Sequence, residues 1–177
     1  MIPACSPVVV VGAGLGGLAT ALELAPRPVL LVTRARLGED LASAWAQGGR
    51  AAAVGADDSP SEHAADTHAA GDGLCDPAVV SLVTGSAPAV VERLGRLGVE
   101  FDAGAGGLPL LGREGGHHRR RILHVRDATG AAITRALLAE LRRTPSVTVL
   151  EGVEVEDLLL RDGAVVGLAA RRGAERL

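Results

Sequence analysis

Three glycines that follow a run of valines form the first group of residues able to do chemistry. Val8–Val11 is followed by Gly12, Gly14 and Gly17 in the spacing G-x-G-x-x-G. The first glycine permits a tight turn, the second lets the backbone approach a pyrophosphate, and the third lets a helix pack closely on a strand. The helix that begins here offers free N–H groups and partial positive charge to phosphates. Because the motif stands between a strand and a helix, it predicts dinucleotide binding.

The end of the second strand leaves the identity of the dinucleotide open. An acidic residue that holds a ribose is common at this place, but the sequence has Thr33 and Arg34. Arg34 could meet the 2′-phosphate of NADP. Alternatively, the cofactor is FAD, and its ribose is held in another way.

A second glycine-containing segment contains one large aromatic residue and one amide. It reads Ser-Ala-Trp-Ala-Gln-Gly-Gly from Ser43 to Gly49. Glycines here would let backbone N–H groups approach a flat cofactor. An ordinary surface loop is an equally good interpretation of these residues alone.

A cluster of arginines and histidines surrounds a single carboxylate, Glu114, in the segment 113–121. A dicarboxylic amino acid needs such a mixture, because cations bind its carboxylates and an anion binds its ammonium group. A solvated run of charge is the ordinary alternative. The other histidines, His63, His68 and His124, are scattered and predict no metal site.

The elements that must position these residues alternate between strands and helices, which predicts an α/β fold with a parallel sheet. A helix that Pro26 stops separates two strands, and such βαβ crossovers are right-handed. Asp162-Gly163 predicts the turn of a C-terminal β-hairpin. The remaining predicted elements are a helix from a Ser61 cap to Ala70, a helix opened by Asp76-Pro77, a helix from Pro88 to Leu97, a helix from Asp127 or Thr129 to Arg143, and a strand over Val147–Leu150.

Composition excludes several classes of protein. The chain has 177 residues, 47% hydrophobic and 22% charged, with a net charge of −3, which argues against disorder and against a basic nucleic-acid-binding domain. No apolar run is long enough to span a bilayer, and the first residues do not predict a signal peptide. Cys5 and Cys75 are expected to be reduced thiols of a cytoplasmic protein.

Several segments together resemble the N-terminal part of the L-aspartate oxidase family, within the succinate dehydrogenase/fumarate reductase flavoprotein superfamily. The resemblance covers essentially the whole chain, and its specific part runs from Arg113 to Gly130. It rests on these stretches: Val8–Gly17, Ala46–Gly49, Arg113–His117, Arg120–His124 and Asp127–Gly130.

The resemblance implies a Rossmann-like FAD-binding domain and assigns roles to residues. Glu114 would orient L-aspartate through its amino group, and Arg34 would lie near the adenosine. Ala42 stands where membrane succinate dehydrogenases have a histidine bonded to FAD, so FAD would be bound non-covalently. The adenine would meet the backbone at Glu154-Val155, expected at the end of the third strand. The remaining implied contacts are Gly12, Ala13, Gly14, Leu15, Gly16 and Gly17 to the pyrophosphate, and Ser43, Trp45, Ala46, Gln47, Gly48 and Gly49 to the flavin.

The activity that the resemblance implies is the oxidation of L-aspartate to iminoaspartate, with oxygen or fumarate as electron acceptor. Iminoaspartate feeds quinolinate and NAD biosynthesis, so quinolinate synthase is the expected partner in the pathway. Neither a nucleic acid nor a membrane is an expected partner.

Family members are much longer than this chain, so a truncated product or an incomplete gene model is expected. Three segments are predicted: 1–60 as a βαβ unit and flavin-wrapping loop, 61–127 as helices and a substrate-side loop, and 128–177 as a helix, strand and hairpin that return to the FAD domain. The alternatives are a non-catalytic nucleotide-binding remnant, a fumarate-reductase-like flavoprotein and an NADP-dependent reductase.

Overall fold

The computed structural model describes residues 7–39 and 42–177, apart from the side chain of Ala105. Cys5 therefore lies outside the described residues, and Cys75 is a free thiol. In chain order the helices and strands are β1 (Val8–Val11), α1 (Leu15–Glu23), β2 (Val29–Thr33), β3 (Arg50–Ala51), α2 (Pro60–Gly71), α3 (Pro77–Arg96), β4 (Leu111–Gly112), β5 (Ile122–Leu123), α4 (Thr129–Leu141), β6 (Val147–Glu151), β7 (Glu154–Arg161), β8 (Ala164–Arg172) and β9 (Glu175–Arg176).

The chain divides into two compact units. The first comprises the residues up to Ser43 together with Leu137–Leu177, and the second comprises Ala44–Ala136. No described helix has the length and apolar character that a bilayer crossing requires. The three predicted segments do not coincide with these units, and they stay a prediction.

The first unit contains the parallel sheet that the sequence predicts. Its order is β1-β2-β6, and both pairs are parallel. β2 is central and nearly all buried, which is typical of parallel strands. The hairpin of β7 and β8 turns at Asp162-Gly163 as predicted, where both residues have positive φ, and β9 adds a short third strand. Val32, Val153 and Ala170 form a buried cluster in this unit.

The second unit is built from two helices and a small antiparallel sheet. Its strand order is β3-β5-β4, so β5 is central. Leu123 of β5 packs with Ala52 and with Ala87 of α3 in a buried cluster. These two-residue strands were not predicted, because two residues give no periodicity that a sequence pattern can reveal.

Two helix boundaries in the second unit differ from the sequence prediction. Ser59, not Ser61, caps α2, since its hydroxyl accepts a hydrogen bond from the Glu62 N–H at 3.2 Å. Pro88 does not open a new helix but lies inside α3, which Asp76 caps as predicted. Proline in a helix interior costs about 3 kcal/mol or more. Burial of Ala87 and Leu94 on either side of it provides packing that offsets the cost.

The predicted caps of α4 also need correction. The helix begins at Thr129 and ends at Leu141, two residues before the predicted end. The Thr129 hydroxyl accepts a hydrogen bond from the Val125 N–H at 3.0 Å, so it stabilises the turn before the helix.

Candidate functional site

The turn between β1 and α1 has the geometry that the glycine spacing predicts. Gly12 has φ of +96°, a conformation that L side chains rarely adopt. A Cβ on Gly17 would lie 1.8 Å from the carbonyl oxygen of Gly12, so the third glycine is required for the helix to approach the strand. The N-cap residue, Gly14, has no side chain with which to cap the helix.

The N-terminus of α1 presents free hydrogen-bond donors. Among the described residues, the N–H groups of Gly16 and Gly17 have no acceptor, while the Leu15 N–H donates to the Ser43 hydroxyl at 3.4 Å. The side chain of Ala13 is buried, so only its backbone is available to a ligand. Backbone donors, the helix dipole and the lack of side chains form a site suited to an anion such as a pyrophosphate.

Ser43 therefore lies at the turn between β1 and α1, a position the sequence did not reveal. The family resemblance assigns Ser43 to the flavin, and it lies 28 residues after Leu15 in sequence. No local pattern predicts a capping side chain that returns from so far along the chain, because capping signals are read within one helical turn. Whether Ser43 also contacts the flavin stays a prediction.

Arg34 and Val155 are brought to the same end of β2. Arg34 follows the last residue of β2 and is exposed, and no ion pair links it to another described residue. The Val153 N–H donates to the carbonyl oxygen of Thr33 at 3.1 Å, which joins the start of the β7 segment to the end of β2. The expected location of Glu154-Val155 at the end of the third strand is wrong. That strand, β6, ends at Glu151, and a glycine turn at Gly152 separates it from β7.

In the second unit, the segment 45–49 is mostly exposed. Trp45 is 82% exposed, and the Ala46 carbonyl oxygen accepts a hydrogen bond from the Gly130 N–H at 3.0 Å. A Cβ on Gly49 would lie 2.2 Å from Cγ2 of Ile122, so packing against β5 already requires this glycine. A Cβ on Gly48 would meet nothing within 4 Å, and the side chain of Gln47 is exposed. The predicted contact of these residues with the flavin stays a prediction.

Glu114 lies in the loop between β4 and β5. Its side chain is 52% exposed, and its Oε1 is 3.9 Å from Nε2 of His124. Its carbonyl oxygen accepts a hydrogen bond from the His117 N–H at 3.3 Å, which closes a turn around Gly115 and Gly116. The carboxylate is thus available to a charged ligand, and its role in substrate binding stays a prediction.

Three of the basic residues that follow Glu114 make ion pairs with acidic residues of the second unit: His118, Arg119 and Arg121. Arg121 is fully buried, and its guanidinium bonds both carboxylate oxygens of Asp58 at 2.8 and 2.9 Å and Oδ2 of Asp66 at 2.8 Å. Arg119 lies 3.2 Å from the Glu62 carboxylate at the surface. Sequence reasoning missed these acidic partners. A partial signal was present, because Glu62 and Asp66 lie four residues apart, the spacing of neighbours on one helix face, whereas Asp58 precedes the Ser59 cap of α2.

Asp66 and His63 have displaced pKa values. Burial raises the pKa of Asp66, but hydrogen bonds from the His118 N–H and ring and the charge of Arg121 outweigh it and lower the pKa to about 2. Burial lowers the pKa of His63, and the nearby charge of Arg121 lowers it further. Among the described residues no group of histidines, cysteines and carboxylates could hold a metal ion.

Comparison with known proteins defines the family to which the chain belongs. The model of the FAD binding domain family matches residues 7–176. The chain therefore belongs to this family of FAD-binding domains, and its cofactor is FAD rather than NADP. The Rossmann-like fold with a parallel sheet and a C-terminal hairpin is confirmed by solved structures. The Mycobacterium smegmatis Sdh1 complex has a TM-score of 0.87 at 30% identity, over 93% of this chain and 30% of that one.

Within the class, the chain is similar to the N-terminal portion of L-aspartate oxidases. It is 57% identical over 162 residues to the L-aspartate oxidase of Agrobacterium fabrum, covering 91% of this chain and 31% of that protein. For the L-aspartate oxidase of Mesorhizobium japonicum, identity is 51% over 161 residues, with coverage of 90% and 31%. A variant of E. coli quinol fumarate reductase FrdA has a TM-score of 0.90 at 27% identity, covering 94% of this chain and 29% of that one. The chain thus spans about a third of the length of these relatives.

The residues of the first unit fit an FAD pyrophosphate. Gly14 and Gly16 have no side chains that would obstruct the N-terminus of α1. The space beside Gly16 is open, because a Cβ there would meet nothing within 4 Å. The free N–H groups there can neutralise phosphate oxygens. The turn is therefore a cradle for the group that the family binds.

Proposed function

We propose that the protein acts in the FAD-dependent oxidation of L-aspartate to iminoaspartate, as the N-terminal portion of an L-aspartate oxidase. The observation that carries the proposal is the 57% identity to an L-aspartate oxidase over 91% of the chain. The phosphate-binding turn of the first unit supports FAD binding, and the exposed carboxylate of Glu114 supports recognition of an amino acid. The proposal includes a cytoplasmic location and a product that feeds NAD biosynthesis. Quinolinate synthase is then the proposed partner in the pathway.

In the proposed mechanism, the first unit binds the cofactor and the second contributes to substrate recognition. The N–H groups of Gly16 and Gly17 would hold the pyrophosphate, and Arg34 would lie near the adenosine. Bound FAD would supply the hydride acceptor for oxidation at the α-carbon of L-aspartate, and oxygen or fumarate would serve as the final electron acceptor. Because residue 42 is alanine, whose methyl side chain cannot form a covalent bond to FAD, we propose non-covalent binding.

Glu114 is proposed to bind the ammonium group of L-aspartate. A carboxylate and an ammonium form a charge-assisted hydrogen bond, which is roughly twice as strong as one between neutral groups. Succinate and fumarate have no ammonium and would leave the carboxylate without its partner, so the residue would select an amino acid over them.

Two measurements test the proposal. The purified chain is titrated with FAD and followed by the absorbance of bound flavin; acid precipitation then releases the flavin into solution if binding is non-covalent. For activity, residues 7–176 replace the matching segment of the Agrobacterium fabrum enzyme, and peroxide formed from L-aspartate is measured. Glu114→Gln should reduce L-aspartate oxidation at least tenfold and leave fumarate reduction within twofold. Equal losses in both reactions would contradict the role of Glu114, and absence of flavin binding would contradict the cofactor site.

A fumarate-reductase-like flavoprotein is the second candidate, favoured by the TM-score of 0.90 to the quinol fumarate reductase. Fumarate reduction that exceeds L-aspartate oxidation in the hybrid protein would support it.

A further inference from the structure

The loop that carries Glu114 is closed at its base by the backbone. Residues 113–120, followed by Arg121, connect β4 to β5, and Gly112 pairs with Ile122 in the antiparallel ladder. The Arg121 N–H donates to the carbonyl oxygen of Gly112 at 3.0 Å, and its own carbonyl oxygen accepts from the Ala52 N–H at 2.9 Å. The two ends of the loop are therefore fixed to the small sheet of the second unit.

The far side of the loop is held by one buried carboxylate. Oδ2 of Asp66 in α2 accepts a hydrogen bond from the His118 N–H at 2.8 Å, and its Oδ1 lies 2.5 Å from the ring Nδ1 of His118. Arg121 donates to the same Oδ2 at 2.8 Å. Asp66 thus joins the middle of the loop to its base, across 52 residues of sequence.

Arg121, which bonds Asp66, is also connected to Glu114 through His117. The guanidinium of Arg121 lies 3.3 Å from Nδ1 of His117, and the His117 N–H donates to the carbonyl oxygen of Glu114 at 3.3 Å. Two glycines follow Glu114, and Gly116 has φ of +81°. A glycine pair loses much conformational entropy on ordering, so the loop needs external contacts to hold one conformation.

We propose that Asp66 and Arg121 are positioning residues that hold the 113–120 loop, and with it the Glu114 carboxylate, in the conformation that recognises the substrate ammonium. The inference rests on the proposed function for the role of Glu114, but the clamp on the loop does not. Neither Asp66 nor Arg121 needs to touch the substrate, since both are buried beneath the loop.

The clamp is tested on the chain itself by amide hydrogen exchange. Asp66→Asn should raise the exchange rate of the His118 and His117 amides at least tenfold, because the charged acceptor is lost. His118→Ala is a second variant that preserves the fold, since that side chain is 84% exposed, and it should raise the same rates several-fold. Asp57→Asn is the matched control. Asp57 is 75% exposed and lies 4.0 Å from Arg119, so the loop amides should exchange within twofold of the wild-type rate.

The link to substrate recognition is tested by kinetics in the hybrid with the Agrobacterium fabrum enzyme. Asp66→Asn should raise the KM for L-aspartate at least fivefold with flavin content unchanged, whereas Asp57→Asn should leave it unaltered. Because Asp66 acts through Glu114, the double variant Asp66→Asn/Glu114→Gln should have a KM within twofold of Glu114→Gln alone.

Each outcome bears on a separate statement. Unchanged exchange of the loop amides in both Asp66→Asn and His118→Ala would overturn the clamp. Faster exchange together with effects on KM that multiply in the double variant would overturn the positioning of Glu114. If Glu114→Gln alone leaves the KM for L-aspartate unchanged, the proposed role of Glu114 fails, while the exchange data still decide whether the loop is clamped.

Discussion

Two neighbouring glycines of α1 should respond in opposite ways to the same substitution. A Cβ on Gly17 would lie 1.8 Å from the carbonyl oxygen of Gly12 and 2.9 Å from its carbon, whereas a Cβ on Gly16 would meet nothing within 4 Å. Real Cβ atoms essentially never lie closer than 3.0 Å to a neighbour, so Gly17→Ala must push the helix away from the turn. Both atoms that it meets belong to the backbone, which cannot change rotamer.

The magnitude follows from these contacts. Overpacking costs about 1–3 kcal/mol, and the rigid backbone places Gly17→Ala at the upper end, at about 3 kcal/mol or more. That corresponds to a decrease of roughly a hundredfold in the folding equilibrium constant. Gly16→Ala should leave the free energy of unfolding unchanged or raise it by up to about 1 kcal/mol, since alanine is the better helix former.

Urea denaturation of the chain, followed by circular dichroism, measures both changes. The Gly17→Ala variant should also bind FAD more weakly, because the displaced helix moves its N–H groups away from the phosphates. Similar losses of stability in the two variants would refute the close approach of helix and turn as the reason for the third glycine.

Three further predictions concern the charge network and the cap. Arg121→Met leaves the buried carboxylates of Asp58 and Asp66 without their cation and should lower the free energy of unfolding by about 3–5 kcal/mol. Arg119 is half-exposed, so Arg119→Met should change the free energy of unfolding by less than about 1 kcal/mol. Urea titrations of the two variants measure both changes. Against the effect of burial, hydrogen bonds from His118 and the charge of Arg121 lower the pKa of Asp66 from its ordinary 3.8 to about 2 in the folded chain, so its stabilising contribution is complete above 3.8 and is lost as the pH falls toward 2. Asp66→Asn should flatten the dependence of the urea midpoint on pH in this window, and an unaltered slope would contradict the pKa. Ser43→Ala removes an acceptor at α1 and should cost about 0.5–1 kcal/mol by thermal denaturation.

The parts of the fold that could be predicted from sequence are those with local, periodic signals. The valine run, the glycine turn and the Asp162-Gly163 hairpin each have a signature within a few residues, and the structure has all three. The break predicted at Pro88 was wrong because packing of α3 overrides the intrinsic preference of proline.

The candidate site shows the same division. The turn between β1 and α1 was predictable because one short motif contains the glycines that its geometry requires, whereas the Ser43 hydroxyl comes from outside that motif. The partners of Arg121 were not, since Asp58 lies 63 residues away and Asp66 lies 55 residues away in sequence. Contacts over such separations depend on how α2 packs under the loop, which no local pattern encodes.

The hydroxyl of Ser43 has a consequence for attempts to isolate the first βαβ unit as a peptide. A fragment that stopped after β2 would contain the complete glycine motif and yet lack the acceptor for the Leu15 N–H. Such a minimal nucleotide-binding peptide would begin its helix with one more donor exposed to water than the intact chain has. Engineers who transplant this motif into another scaffold should therefore supply a hydroxyl from outside the motif.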